Sequence, residues 1–108
     1  MYIETLTITV KPGFADQVVH RFGQEAAVEK AEGFVDLSVM VRSAGREEEE
    51  VMVLIRWASE AHWKQWELSE PHLEGHRRER QQGKPEWVLG SASRVYEVRA
   101  VKHPAPVK

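Results

Sequence analysis

The chain has 108 residues, which is enough for one domain with a single hydrophobic core. Its formal net charge of −2, with 30% of residues charged, argues against broad binding to nucleic acid or to anionic membranes. It has no cysteine, which excludes disulfides, thiolate metal sites and thiol nucleophiles. The sequence has no apolar run long enough to span a membrane and no signal-peptide pattern at its start. We therefore expect a cytoplasmic protein with neither a nucleic acid nor a membrane as partner.

The first predicted element is a strand, because apolar residues alternate with threonines before residue 11. Its two faces carry Leu6, Ile8 and Val10 on one side and Thr5, Thr7 and Thr9 on the other. Lys11-Pro12-Gly13 ends this strand. Apolar residues then recur at about four-residue spacing from Phe14 onwards, which predicts a helix over 15–31 with Gly33 just past its end.

Two further alternating runs, around 35–41 and 51–57, predict a β-hairpin. Its connection carries the four glutamates of 47–50, which we interpret as a solvated loop or a charged guard of the sheet edge. Ser59 can cap a short helix, and Pro71 suits the first position of another. Trp66 and His76 are therefore predicted on consecutive helices. Residues 81–86 are predicted as a loop, 88–101 as a last strand and 103–108 as a flexible tail.

The predicted order, β-α-β-β-α-β with a split second helix, is typical of a ferredoxin-like α+β fold. Helices on one side of such a sheet leave the other face open. That face combines polar and apolar side chains, namely the threonines of the first strand with Asp36, Ser38, Met40, Met52, Leu54 and Arg56. It is too apolar in places for full exposure, so we predict a homodimer in which a partner sheet covers it.

The run from Trp57 to His76 is the most informative for function, with three tryptophans and three histidines in twenty residues. A bulky aromatic side chain near an imidazole suits haem, because neutral imidazole is a common axial ligand of haem iron. Simpler interpretations remain open, since a helical Trp is often core and a lone His on a charged helix is often a surface residue. The His72 and His76 pair, spaced i, i+4, could also hold a divalent cation. Arg77 and Arg78 could pair with haem propionates or complement the helix dipole.

Several residues, taken in order, resemble the IsdG-like haem-degrading monooxygenases of the antibiotic-biosynthesis-monooxygenase (ABM) superfamily. They are Arg21-Phe22, Glu32-Gly33-Phe34, Trp57, and Trp66 ten residues before His76. The resemblance implies one ABM-type domain over 1–102, paired into a dimeric α+β barrel. It implies that His76 is the iron ligand, that Trp66 distorts the porphyrin and that Phe22 lines the pocket. The sequence departs from the family at Leu6, where the family has an Asn that hydrogen-bonds the distal ligand, and at Glu25, where it often has a basic residue.

The resemblance implies an enzyme that takes haem as both substrate and cofactor. It would open the porphyrin with O₂ and electrons from a reductase or small reductant, and release the iron. Leu6 predicts slow turnover, because it can neither donate nor accept a hydrogen bond. Two other functions stay open: a non-catalytic haem carrier or sensor, and a cofactor-free monooxygenase acting on a small aromatic or quinone, with Trp57 and Trp66 as pocket walls.

Overall fold

A computed structural model describes residues 1–106 of the chain. Its elements are β1 (Tyr2–Val10), α1 (Ala15–Gly23), a 3₁₀ turn (Ala27–Lys30), β2 (Phe34–Ser43), β3 (Glu49–Trp57), α2 (Glu60–Glu67), α3 (Glu70–Gln82) and β4 (Val88–Glu97). The strands form one sheet in the order β2-β3-β1-β4, and each neighbouring pair is antiparallel. This architecture confirms the predicted ferredoxin-like α+β fold.

The core lies between α1 and one face of the sheet. Val10, Val51 and Val53 are fully buried there, and α1 contributes Ala15 and Val18. The antiparallel register places Leu6 opposite Val53 and Ile8 opposite Val51, so these side chains share the helix-covered face. Burying one such aliphatic side chain contributes about 1.5–3 kcal/mol. The alternation of β1 therefore decides which of its residues can reach a site on the helix side.

The first helix is shorter than its apolar spacing predicts, and the boundary at Ala31 is wrong. It ends at Gly23, where glycine lowers helix propensity, and Gln24 continues in extended conformation with ψ 156°. A separate 3₁₀ turn follows, supported by a hydrogen bond from the Ala26 amide to Glu29 Oε1 at 3.2 Å. Gly33 has the expected positive φ of 82°, but it leads into β2 and does not end a helix.

Three further boundaries differ from the prediction, and the first is the end of α3 at Gln82, two residues inside the predicted loop of 81–86. Strand β3 begins at Glu49, so the second half of the glutamate run is part of the sheet. Glu49 Oε1 accepts a hydrogen bond from the Gly13 amide at 2.6 Å, and Glu50 accepts one from Arg42 at 2.8 Å. Strand β4 ends at Glu97, four residues before the predicted end, and residues 98–106 have no regular secondary structure.

The predicted caps of the two later helices are close to those observed. Ser59 Oγ accepts a hydrogen bond from the His62 amide at 3.2 Å, and Pro71 lies in the first turn of α3. Within residues 1–106, no helix is long and apolar enough to cross a membrane. Two residues of the predicted tail at 103–108, namely 107 and 108, lie outside the described part of the chain. Its flexibility and the domain boundary at 102 stay predictions.

Candidate functional site

Trp57 and Trp66 form an aromatic stack at the end of β3. Trp57 is fully buried, and its ring centroid lies 6.3 Å from that of Trp66 at an interplanar angle of 29°. Phe34 also packs against Trp57, edge to face, at a ring-centroid distance of 5.9 Å. Trp57 is thus a core residue and cannot wall a pocket, contrary to the role considered for it in a cofactor-free monooxygenase. Its function is to support Trp66, which is only partly buried.

His72 lies between the two residues that the sequence pattern singles out, Trp66 and His76. Its ring centroid is 5.4 Å from that of Trp66 and 4.4 Å from that of His76, both edge to face. Its Nε2 lies 2.9 Å from Oε2 of Glu67, and only 15% of its side chain is exposed. The ring of His72 therefore contacts both Trp66 and His76 and lies between them.

His76 is more accessible, with 56% of its side chain exposed on α3. Its Nδ1 lies 3.6 Å from Oε2 of Glu79, and Oε1 of Glu79 accepts a hydrogen bond from Arg21 at 2.6 Å. The ion pair between Arg21 and Glu79 ties α1 to α3. Since Nδ1 faces Glu79, Nε2 is the ring nitrogen left for a metal ion.

Two cavities flank these residues. The larger, about 540 Å³, lies between α1, α3 and the sheet, and we call it the α1–α3 cleft. Its apolar walls include Ile8, Val18, Phe22, Trp87 and Val88. Its polar residues include Arg21, Arg78 and Glu79. The smaller, about 310 Å³, lies beside the 3₁₀ turn and is lined by Ala27, Ala31, Trp66, Ser69 and Pro71 among others.

The four predicted site residues do not line a single cavity. Phe22 lines the α1–α3 cleft, and Leu6 packs against the same apolar cluster as Phe22. Trp66 lines the smaller cavity instead. His76 lies between the two, since its helix neighbours Gly75 and Glu79 line the cleft while its ring contacts His72 on the Trp66 side.

A partly buried carboxyl group, Glu4, lies beside Trp57. Trp57 donates a hydrogen bond from Nε1 to Glu4 Oε1 at 3.2 Å. Burial raises the pKa of Glu4 above its ordinary value of 4.5; the Trp57 hydrogen bond opposes this rise, and the nearby Glu67 carboxyl adds to it. The Trp63 indole nitrogen is buried near Glu4, but within residues 1–106 no acceptor lies at hydrogen-bonding distance and angle from it.

Sequence patterns alone give no role to Glu67, offer Glu4 only as a second choice for the distal hydrogen bond, and offer His72 as half of a cation pair or as a substitute iron ligand. The available signal for Glu4 was its place on the apolar face of β1, where it shares a side with Leu6 and Ile8. Within residues 1–106, no group of three or more His, Asp or Glu side chains is arranged to hold a metal ion. Of the two arginines considered for propionates, Arg78 lines the cleft, whereas Arg77 pairs with Glu70 and Glu74.

The chain belongs to the antibiotic biosynthesis monooxygenase family, whose model matches residues 1–78. It is 45% identical to the haem-degrading monooxygenase HmoA of Bacillus subtilis over 102 residues, which are 94% of each chain. It is 30% identical to a haem-degrading monooxygenase of Shouchella clausii over 95 residues, covering 88% of this chain and 87% of the relative. The resemblance found in the sequence is confirmed.

Solved structures agree with this assignment. A Bacillus cereus protein described as an antibiotic biosynthesis monooxygenase superposes with a TM-score of 0.83 at 46% identity, covering 95% of this chain and 97% of that one. The haem degrader MhuD of Mycobacterium tuberculosis, solved with two haems in its active site, superposes with a TM-score of 0.68 over 95% of this chain and 100% of its own. At 19% identity, that likeness shows the fold alone.

Proposed function

We propose that this protein is a haem-degrading monooxygenase that opens the porphyrin ring and releases its iron. Haem is both substrate and cofactor, O₂ is the co-substrate, and electrons come from a reductase or a small reductant. The observation that carries the proposal is an accessible imidazole, His76, beside a cleft of about 540 Å³ with both apolar and charged walls. The names of the relatives from B. subtilis and S. clausii support the same substrate.

The residues around the α1–α3 cleft fit haem chemically. Its volume lies within the range of small-molecule sites, and such sites combine apolar walls with a few polar groups. Phe22, Trp87 and Ile8 offer the apolar wall for a porphyrin face. Arg21 and Arg78 offer guanidinium groups for the propionates, and paired carboxylate–guanidinium contacts are strong.

Bound haem supplies an iron centre at which O₂ is activated for attack on the porphyrin carbon skeleton. His76 would hold the iron through Nε2, with the Glu79 carboxyl on its Nδ1 side. Phe22 and Trp87 would shield a porphyrin face from water, and Arg21, which pairs with Glu79 in this structure, would be the group to hold a propionate. Trp66, which lines the smaller cavity on the far side of His72 from His76, would be the residue that contacts the porphyrin there.

Leu6 favours a second candidate function, a haem carrier or sensor. It lies on the helix-covered face of β1 and packs into the apolar cluster with Phe22, so it offers no polar group to a ligand on the iron. A site that binds haem without a hydrogen-bond donor at that position suits storage better than turnover.

A hemin titration of the purified protein tests both functions. We expect a Soret band that saturates at about one haem per chain with micromolar or tighter affinity. His76→Ala should remove the histidine-ligated spectrum while His20→Ala, on the exposed face of α1, should keep it. Adding ascorbate under air then distinguishes ring opening from stable binding. Absence of a Soret band with the wild-type protein would contradict haem binding altogether.

A further inference from the structure

His72 holds a position that the proposed reaction leaves without a role. It lies between the proposed iron ligand His76 and the proposed porphyrin contact Trp66, at ring distances of 4.4 and 5.4 Å. It is mostly buried, unlike His76, whose side chain is 56% exposed. A half-exposed ligand whose one polar side-chain partner lies 3.6 Å away has considerable rotamer freedom to lose on binding iron.

The position of His72 is set across the bend between α2 and α3. Glu67, the last residue of α2, lies 2.9 Å from Nε2 of His72 in the first turn of α3. The bend itself is closed by a hydrogen bond from Ser69 Oγ to the Trp66 carbonyl at 2.6 Å. Contacts of His72 with both Trp66 and Glu67 therefore fix the two helices relative to each other at the level of the site.

This arrangement continues into the sheet. The Glu67 carboxyl neighbours Glu4 on β1, and Glu4 is held by the Trp57 indole at 3.2 Å. A chain of contacts thus runs from β1 through Glu4, Glu67 and His72 to His76. Each link lies on a different element or helix turn, so the position of the His76 ring depends on tertiary packing and not on α3 alone.

We propose that His72, anchored by Glu67, is a positioning residue that orients the His76 ring for iron and sets its distance from Trp66. The inference rests on the haem function proposed above. Outer partners of metal-binding histidines fix ring orientation, and losing one typically costs about 10–100-fold in metal affinity. His72 itself is poorly placed to bind iron, because its Nε2 faces Glu67 and its side chain is only 15% exposed.

The test compares hemin complexes of the full chain carrying His72→Ala, Glu67→Ala or Glu67→Gln. We expect His72→Ala and Glu67→Ala to weaken hemin binding by about 10–100-fold and to broaden or shift the iron–histidine stretching band in resonance Raman spectra. Glu67→Gln keeps an oxygen that can accept a hydrogen bond from the His72 imidazole, so its hemin affinity and its stretching band should stay close to those of the wild type. Glu74→Ala, on the exposed part of α3, is the matched control and should change neither quantity.

A ligand-free measurement separates this inference from the haem function. In the NMR spectrum of the protein without hemin, ring-proton contacts between His72 and His76 should be present in the wild type and in Glu67→Gln, and weakened in Glu67→Ala. A wild-type protein that fails to bind hemin overturns the proposed function and this role with it.

Two results would overturn the positioning role while leaving haem binding intact. The first is an iron–histidine stretching band and a hemin affinity in both His72→Ala and Glu67→Ala that equal those of the wild type. The second is loss of the histidine-ligated spectrum in His72→Ala together with its retention in His76→Ala, which would make His72 the ligand. Because the Glu67 variants keep both histidines, they test the positioning role of His72 even if His72→Ala folds poorly.

Discussion

Among single residues, Glu4 is the one whose burial has the clearest consequence for pH dependence. Its carboxyl is mostly removed from water, and it accepts a hydrogen bond from the Trp57 indole. Burial raises its pKa in the folded protein above 4.5, the ordinary value that applies in the unfolded chain. Between these two pKa values the folded state binds more protons than the unfolded state, so the free energy of unfolding falls as pH rises through that window.

Glu4→Gln removes this titration and keeps a side-chain oxygen for the Trp57 indole. We expect the variant to gain stability relative to the wild type as pH increases above 4.5, with the difference fading at lower pH. Urea denaturation at a series of pH values measures it. Glu86→Gln, at a side chain that is 94% exposed, is the control. Parallel curves for Glu4→Gln and the wild type would show that the Glu4 carboxyl is as well solvated as Glu86.

Leu6 is the residue at which turnover is predicted to be limited. Leu6→Asn should supply a hydrogen bond worth about 0.5–1.5 kcal/mol net, which corresponds to a roughly 2- to 12-fold faster loss of the Soret band under ascorbate and air. Leu6→Ala is the matched control, since it removes the same apolar bulk without adding a donor. Thermal unfolding of both variants measures the stability that each loses with the packing of Leu6 against the core. Equal rates in both variants and the wild type would place the distal group elsewhere on the helix-covered face, where Glu4 also lies and Thr5 does not.

At the level of elements, the loop before β2 is shaped by contact with α2. Gly33 has φ 82°, and its carbonyl accepts a hydrogen bond from the Ala58 amide at 2.8 Å. A Cβ at this position would lie 2.1 Å from Cγ of His62. The ring of His62 packs over this glycine, and its Nδ1 lies 2.7 Å from Ser59 Oγ. The close approach holds the start of α2, and with it the tryptophans of the site.

Gly33→Ala should accordingly destabilise the fold by about 2–4 kcal/mol, because backbone strain and steric overlap add together. Gly45→Ala is the control, since Gly45 has φ 102° with no atom within 4 Å of an added Cβ and suffers strain alone. Chemical denaturation of the two variants isolates the contribution of the His62 contact. Equal losses in both would mean that His62 moves away at little cost.

For the whole molecule, the open face of the sheet is the feature that a single chain leaves unexplained. Met40 and Tyr96 are 43% and 50% exposed, and both lie on the face opposite to the helices. Asp36 and Arg56 form an ion pair on the same face, which lowers the pKa of Asp36. We expect a second copy of the chain to cover this surface, with an interface of roughly 1,600 Å² or more.

Light scattering should accordingly give twice the chain mass of 12.4 kDa at low micromolar concentration. Leu54→Glu, at the centre of the open face between Thr5 and Ser38, should dissociate the dimer, because an unpaired buried charge costs several kcal/mol. Leu68→Glu, at a residue that is 79% exposed in the α2–α3 bend, should leave the mass unchanged. A wild-type mass near that of one chain would contradict the predicted homodimer.

Local patterns in the sequence were sufficient for the order and type of the elements. Alternation in β1 to β3 and the spacing of apolar residues in α1 report which side of each element is buried, and that information is carried by near neighbours. The same holds for the caps at Ser59 and Pro71. The end of α1 was missed although its cause, Gly23, is local, whereas the start of β3 depends on a distant contact, since the Glu49 carboxylate accepts from the amide of Gly13 36 positions away.

The sequence by itself determined the ferredoxin-like architecture, the family and the offset between Trp66 and His76, because all of these depend on residue type and short-range spacing. Only the tertiary structure decided what surrounds those two residues. The contact of Trp57 with Glu4 joins residues 53 positions apart, and the ion pair of Arg21 with Glu79 joins residues 58 positions apart. No periodicity encodes such pairs, since they form only when separate elements pack against one sheet. For that reason the partly buried carboxyl group, the anchored His72 and the separation of the site into two cavities emerge from the fold alone.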